Sequence, residues 1–225
     1  MSYVPMPVFA DGGRGFGTGW ARLIDWMKTH FLALLADLND PASEADIDSA
    51  QVACGVVFPD DLRALYRAAD GERGNIGLFF GLPLLPLERV VHEWRAWQDE
   101  IAQYPELNDN EAGFHRSTPP GAIAELYANP GWIPFAHDHG GNHLGVDLAP
   151  GPNGRIGQVI NFGRDEDDKF VIAPSLASFL HWYADNLEAK NYRIAKLPDD
   201  QGIDFVIADP ANEHFLDAVR NMGQS

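Results

Sequence analysis

The sequence predicts an α+β fold, a mostly antiparallel mixed sheet packed against helices in a single domain. Three observations predict it. Apolar residues recur at three- and four-residue steps through much of the first hundred positions, which is helical spacing. Four short strand-like runs then cluster between Trp132 and Ala173, separated by Gly-, Pro- or Asp-rich segments that suit antiparallel connections. A strong helix follows those runs instead of alternating with them, which is not the order of a parallel α/β sheet. At 225 residues the chain is long enough for a full core and short enough for one domain.

Residues 1–17 read as an irregular lead-in, residues 18–193 as the α+β domain, and residues 194–225 as a C-terminal extension packed on or near it. Trp20, Leu23, Ile24, Met27, Phe31, Leu34, Leu35 and Leu38 mark one long amphipathic helix, capped by Thr18 and broken by Pro41. Ser43 with Asp46 three positions on forms a capping box for a helix through Ala53, which Gly55 ends. Pro59 starts a helix with Leu62, Leu65 and Tyr66 on one face and Gly71 as its stop. A strand is expected over residues 76–80 and a second apolar run over 82–87. A helix then buries Val90, Val91, Trp94, Trp97 and Ile101. Residues 103–118 are polar and turn-rich and read as a loop, and Pro119 and Pro120 start a short helical segment to Tyr127. Strands follow over 132–136, 143–148, 158–162 and 170–173. Ser175 caps a helix with Leu176, Phe179, Leu180, Tyr183 and Leu187 at core spacing. After Tyr192 come one strand-like run, 203–208, and a helix begun by Asp209 and Pro210.

Composition narrows the function. The chain carries 33 Asp+Glu against 16 Lys+Arg, a formal net charge of -17. That charge repels phosphate backbones and anionic membranes and favours partners with a basic face, although acidity also serves plain solubility. No basic patch with interleaved aromatics is present, so nucleic acid is not expected as a direct ligand. Cys54 is the lone cysteine, which excludes a disulfide framework and zinc-type Cys spacing and suits a reducing compartment. The N-terminal residues lack a basic start and a long apolar core, and no apolar run approaches the ~18 residues of a membrane span. A cytoplasmic protein is expected. There is no GxSxG and no GxxxxGK[ST], and the alternating Gly13, Gly15, Gly17 and Gly19 do not make a dinucleotide fingerprint.

Chemically usable side chains crowd into residues 131–160. His137, Asp138, His139, His143 and Asp147 would suit a first-row metal if the turn folds His143 back beside the other two imidazoles. The simpler alternative is that Asp138 and Asn142 organise the turn by bonding to its backbone. On the strand 143–148, Leu144, Val146 and Leu148 share one face and His143, Gly145 and Asp147 the other. Asp147 then reads as a cap for the following Pro/Gly loop. The run Asp165, Glu166, Asp167, Asp168 between two strands is either a contact loop for a basic partner or a solvated hairpin tip.

The ordered set of motifs resembles the SUKH superfamily. The residues that carry the resemblance begin with the helix from Trp20 and with Phe58, Pro59, Asp60, Asp61 and Leu62, running through Leu65 and Tyr66 to Asp70 and Gly71. They continue with Leu85, Pro86 and Leu87, then Trp132 to Ala136, Asp138, Gly140, Gly141, Asn142 and Asp147. Gly157 to Ile160 and the helix from Ser175 to Leu187 complete the set, which covers most of the chain. His137 and His139 are not part of the family pattern. The resemblance implies a helix-backed sheet used as a protein-binding module, with no catalytic residues, metal or cofactor. Bacterial members look largely like immunity proteins and fungal members like regulatory scaffolds. The expectation is therefore an immunity protein that occludes a cognate bacterial toxin, with Asp138, His139, Asn142, Asp165, Glu166, Asp167 and Asp168 meeting the partner. A regulatory scaffold of cell-wall or stress physiology is the alternative, and a hydrolase using a metal on His137, His139 and His143 is a third.

Overall fold

The computed structural model describes residues 15–74, 76–197, 202–208 and 214–222. Residues 1–14 of the expected lead-in and the helix start at Asp209 and Pro210 lie outside them. Among the described residues there are seven α-helices, a five-stranded sheet and a separate two-stranded one, the α+β architecture that the residue pattern predicts.

The long N-terminal helix is two helices. α1 spans Phe16–His30 and α2 Leu32–Asp37, parted at Phe31, whose φ of -149° and ψ of 64° are not helical. Thr18 is not the cap: it lies in the first turn of α1, and its hydroxyl donates to the Gly15 carbonyl at 2.8 Å. α3 (Glu44–Cys54) has the full capping box of Ser43 and Asp46 and ends on Gly55 in the left-handed region. α4 covers Asp60–Ala68 and α5 Leu87–Gln103. Residues 76–80 form no strand. Turns and an isolated bridge between Phe79 and Leu82 replace it, because Gly77 and Gly81 approach too closely for extended pairing. A Cβ on Gly77 would lie 2.2 Å from the Gly81 carbonyl carbon.

A 3-10 turn at Pro105–Asn108 and a short strand β1, Arg116–Thr118, occupy the expected loop. Residues 119–127 hold turns and no helix, since Ser117 and Asn108 side chains take the Ile123, Tyr127 and Ala128 N–H groups that a helix would use. β2 (Trp132–His137), β3 (Asn142–Asp147), β4 (Gln158–Gly163) and β5 (Asp168–Ala173) match the predicted runs to within two residues at each end. The sheet order is β1-β5-β4-β3-β2, antiparallel except for the parallel β1–β5 pair. α6 (Leu176–Glu188) starts at Ser175, whose hydroxyl accepts from the Ser178 N–H. β6 (Tyr192–Lys196) pairs antiparallel with β7 (Ile203–Ile207), and α7 spans Phe215–Met222.

The sheet has two covered faces. Ile133, Phe135, Leu144, Val146, Val159 and Ile172 join α1, α4 and α6 in the main core, around Leu23, Leu65, Phe179 and Tyr183. Phe205, Phe215 and Val219 belong to the same core. The opposite face carries a small aromatic cluster of Trp132, Ile160 and Phe162 with Ile123, against which Trp97 of α5 packs. Gly145 makes that cluster possible, because a Cβ there would lie 2.4 Å from the Phe162 ring. Burying apolar side chains on both faces is the dominant stabilising term for a domain of this size.

Candidate functional site

Two turns at one end of the sheet are joined through Asn142. β2 and β3 are closed by residues 138–141, and Asp138 organises that turn as its residue type predicts. Its Oδ1 accepts the N–H of Gly140 at 2.7 Å and of Asn142 at 2.9 Å, and its Oδ2 accepts the Asn142 side-chain amide at 2.8 Å. The β4–β5 turn then docks beside it. The Asp165 N–H donates to Asn142 Oδ1 at 2.9 Å, and the Arg164 N–H donates to the Gly141 carbonyl at 3.1 Å. Asn142 itself is buried, so its amide is spent wholly on this junction. Burial would raise the pKa of Asp138, but the bonds from Asn142 and Gly140 outweigh it and hold the carboxyl below its ordinary value.

The acidic run splits by direction. Asp165 and Asp167 are exposed. Asp168 is half-buried and pairs with Arg116, which lowers its pKa. Glu166 turns inward, where both its oxygens meet Arg220 of α7 at 3.1 Å and Asn161 donates to it. Burial pushes Glu166 up despite these partners. Its carboxylate is therefore buried and already matched, and it offers nothing at the surface. His139 is exposed, with a left-handed φ of 64°. Of the seven residues singled out in the sequence, the fold gathers Asp138, His139, Asn142 and Asp165 at one place. Asp167 and Asp168 extend from it toward β1.

The three imidazoles do not assemble into a metal cage. The His137 and His139 rings lie tilted at 56° with centroids 4.3 Å apart, but the His143 ring packs between Trp97 and Phe162 on the aromatic face. Among the described residues no group of three or more His, Cys, Asp or Glu is placed to hold a metal ion. Burial lowers the His137 pKa to about 4 and the His143 pKa to about 3, so both rings are neutral at physiological pH. Asp147 is buried, accepts from the Ala149 N–H and from Gln158, and is raised to about 6 by burial, which fits the capping role. The Cys54 thiol is buried and pushed up to about 11, which removes its nucleophilic thiolate at neutral pH.

Sequence reasoning missed Glu72. Its buried carboxylate accepts the N–H groups of Gly77, Leu78 and Leu84 and fixes the loop between α4 and α5. It also missed the half-buried Trp97 and Tyr127, which wall a cleft beside the two turns. The helical periodicity that places Trp97 on the inward side carries no sign of that cleft.

Fold and site together define a single-domain α+β protein with a mixed sheet covered on both faces and two knitted turns at its end. The chain belongs to the SMI1 / KNR4 family (SUKH-1), whose family model matches residues 41–182. It is 36% identical to the cell wall assembly regulator SMI1 of Saccharomyces cerevisiae over 84% of this chain and 44% of that protein. It is 35% identical to the cell wall biosynthesis/cell cycle regulator smi1 of Schizosaccharomyces pombe, over 89% of this chain and 42% of the relative. A glucan synthesis regulatory protein of Neurospora crassa is 33% identical over 83% of this chain and 41% of its own length. The chain thus spans less than half the length of these relatives. Their names overturn the expectation of an immunity protein that neutralises a bacterial toxin: the relatives are fungal regulators of wall assembly and glucan synthesis. Sequence motifs shared across the superfamily could not separate its bacterial from its fungal branch. Among the described residues no helix is long and apolar enough to cross a membrane.

Proposed function

We propose that this chain is a protein-binding domain of a regulator of cell-wall assembly, acting in the cytoplasm by association and not by catalysis. The observation that carries the reading is the Asn142 junction. It fixes two turns as one rigid surface and leaves His139, Asp165 and Asp167 exposed on or beside it. A preorganised surface loses little entropy on binding. The net charge of -17 favours a partner with a basic face and speeds their encounter. The relatives' printed roles supply the process.

The test is a segment swap. This chain replaces the matching segment of the Saccharomyces regulator, and wall glucan content and growth under wall stress are measured. Function is expected from the swapped protein and is expected to fall when His139 and Asp165 are both changed to Lys. A swapped protein that accumulates normally yet restores nothing rejects the reading.

A further inference from the structure

The cleft beside the two turns is a built box. It has a volume of about 250 Å³ and is lined by Glu93, Trp97, Glu100, Tyr127 and His143. Gly141 and Arg164 of the two turns also line it. Trp97 stands at 72° to Tyr127, centroids 5.5 Å apart, and at 81° to His143, centroids 6.0 Å apart. The three rings make much of the cleft wall aromatic, and an aromatic face carries a negative quadrupole that attracts cations. The exposed Glu100 adds a carboxylate to the wall, while Glu93, two turns earlier on α5, is already paired with Arg89 at 2.6 Å. His143 is 1% exposed, and its Nδ1 lacks a well-aligned hydrogen-bond partner. The one cation in the lining, Arg164, has the Asp165 carboxylate 3.6 Å away. The space is below the roughly 300–1,000 Å³ of cofactor and drug-sized sites. It suits one long side chain.

We propose that this box receives a lysine or arginine side chain of the protein partner, so that the two turns and the box form one continuous binding surface. The inference deepens the binding-domain reading and rests on it. The aromatic wall and the exposed Glu100 carboxylate favour a cationic guest. The His143 ring adds no positive charge to the wall, since burial keeps it unprotonated down to low pH. The overall charge of -17 draws basic segments toward the molecule.

The test uses the whole chain and small probes. N-acetyl-arginine methylamide and N-acetyl-lysine methylamide are titrated while the Trp97 indole N–H is followed by NMR, with the neutral citrulline analogue as control. A saturable shift is expected, with at least one cationic probe binding about three- to fivefold more tightly than citrulline, the scale of an exposed cation–π contact. Trp97→Ala should abolish the shift of neighbouring signals. If that variant fails to fold, Glu100→Lys, at an exposed position, should abolish binding on an intact fold. Equal binding of citrulline, no saturable shift, or unchanged binding in Glu100→Lys overturns the proposal. These outcomes are separate from the segment swap. A swap that works alongside an unresponsive box removes only the box. A box that responds alongside a failed swap removes only the wall-regulator reading.

Discussion

Glu72 is a carboxylate from which water has been taken and to which three backbone N–H groups have been given. Burial is the larger effect and pushes its pKa up to about 7 from an ordinary 4.5, against the bonds from Leu78, Leu84 and Gly77. Because the folded-state value is the higher one, this group's favourable contribution is complete below pH 4.5 and is lost as pH rises through 7. Asp147, raised to about 6, acts in the same sense, whereas His137 and His143, lowered by burial, act in the opposite one. The Glu72 share is isolated by comparing wild type with Glu72→Gln in denaturant titrations from pH 4.5 to 7.5. The stability difference between the two should shrink as pH rises. A constant difference would mean that Glu72 titrates as it does in water. At pH 4.5 the variant should be less stable by about 1–3 kcal/mol, since the amide sets an N–H donor against backbone N–H groups. Asn142→Ala removes the amide that joins Asp138 to the Asp165 backbone, and a loss of about 1–3 kcal/mol is expected in the same assay.

At the scale of elements, two helices begin on carboxylates borrowed from elsewhere in the chain. Asp70 accepts the Leu87 N–H at 2.8 Å at the start of α5, and Asp61 accepts the Ala177 N–H at 3.1 Å at the start of α6. Anions at helix N-termini satisfy orphan donors and the helix dipole together. Asp61→Ala and Asp70→Ala should each cost about 1 kcal/mol, the usual cost of a lost cap, by chemical denaturation. Gly71→Ala should cost more than either, because Gly71 has a φ of 77° and a Cβ would lie 2.3 Å from the Pro86 nitrogen. These roles explain why the Asp-rich motif at 58–62 and the Asp70-Gly71 pair stand out in the sequence. What was legible there was local. Short apolar runs between Gly-, Pro- or Asp-rich separators mark β2 to β5, with clear alternation in β3, and the Ser43–Asp46 spacing marks α3. β1 was missed because it has three residues and pairs in parallel with a strand about fifty positions away. The break at Phe31 was hidden because the apolar spacing continues unchanged across it. Asn142 could be read as a turn residue, but its grip on a second turn 23 positions on could not. The inward direction of Glu166 depends on Arg220, which no local pattern connects to it.

For the whole molecule the deciding quantity is the net charge of -17. Salt has two opposing effects on such a fold. It weakens favourable exposed pairs, such as Glu44 with Arg63 and Arg67, or Arg22 with Glu188. Each exposed pair is worth roughly 0–1 kcal/mol. Salt also screens repulsion among the uncompensated carboxylates. That repulsion acts over a Debye length of about 30 Å at 0.01 M and about 8 Å at 0.15 M, so at low salt it spans the domain. Folding brings these charges closer together than the unfolded chain holds them, which makes the repulsion a net cost of the folded state. Seventeen unbalanced charges outweigh a few screened surface pairs. The thermal midpoint at pH 7 should therefore rise between 0.01 M and 0.15 M sodium chloride, as read by scanning calorimetry. Over the same interval, association with a partner bearing a basic face should slow. A midpoint that falls with salt would mean that the ion-pair clusters dominate the charge balance of folding, whereas an association rate that does not fall with salt would remove the argument that net charge steers this protein to its partner.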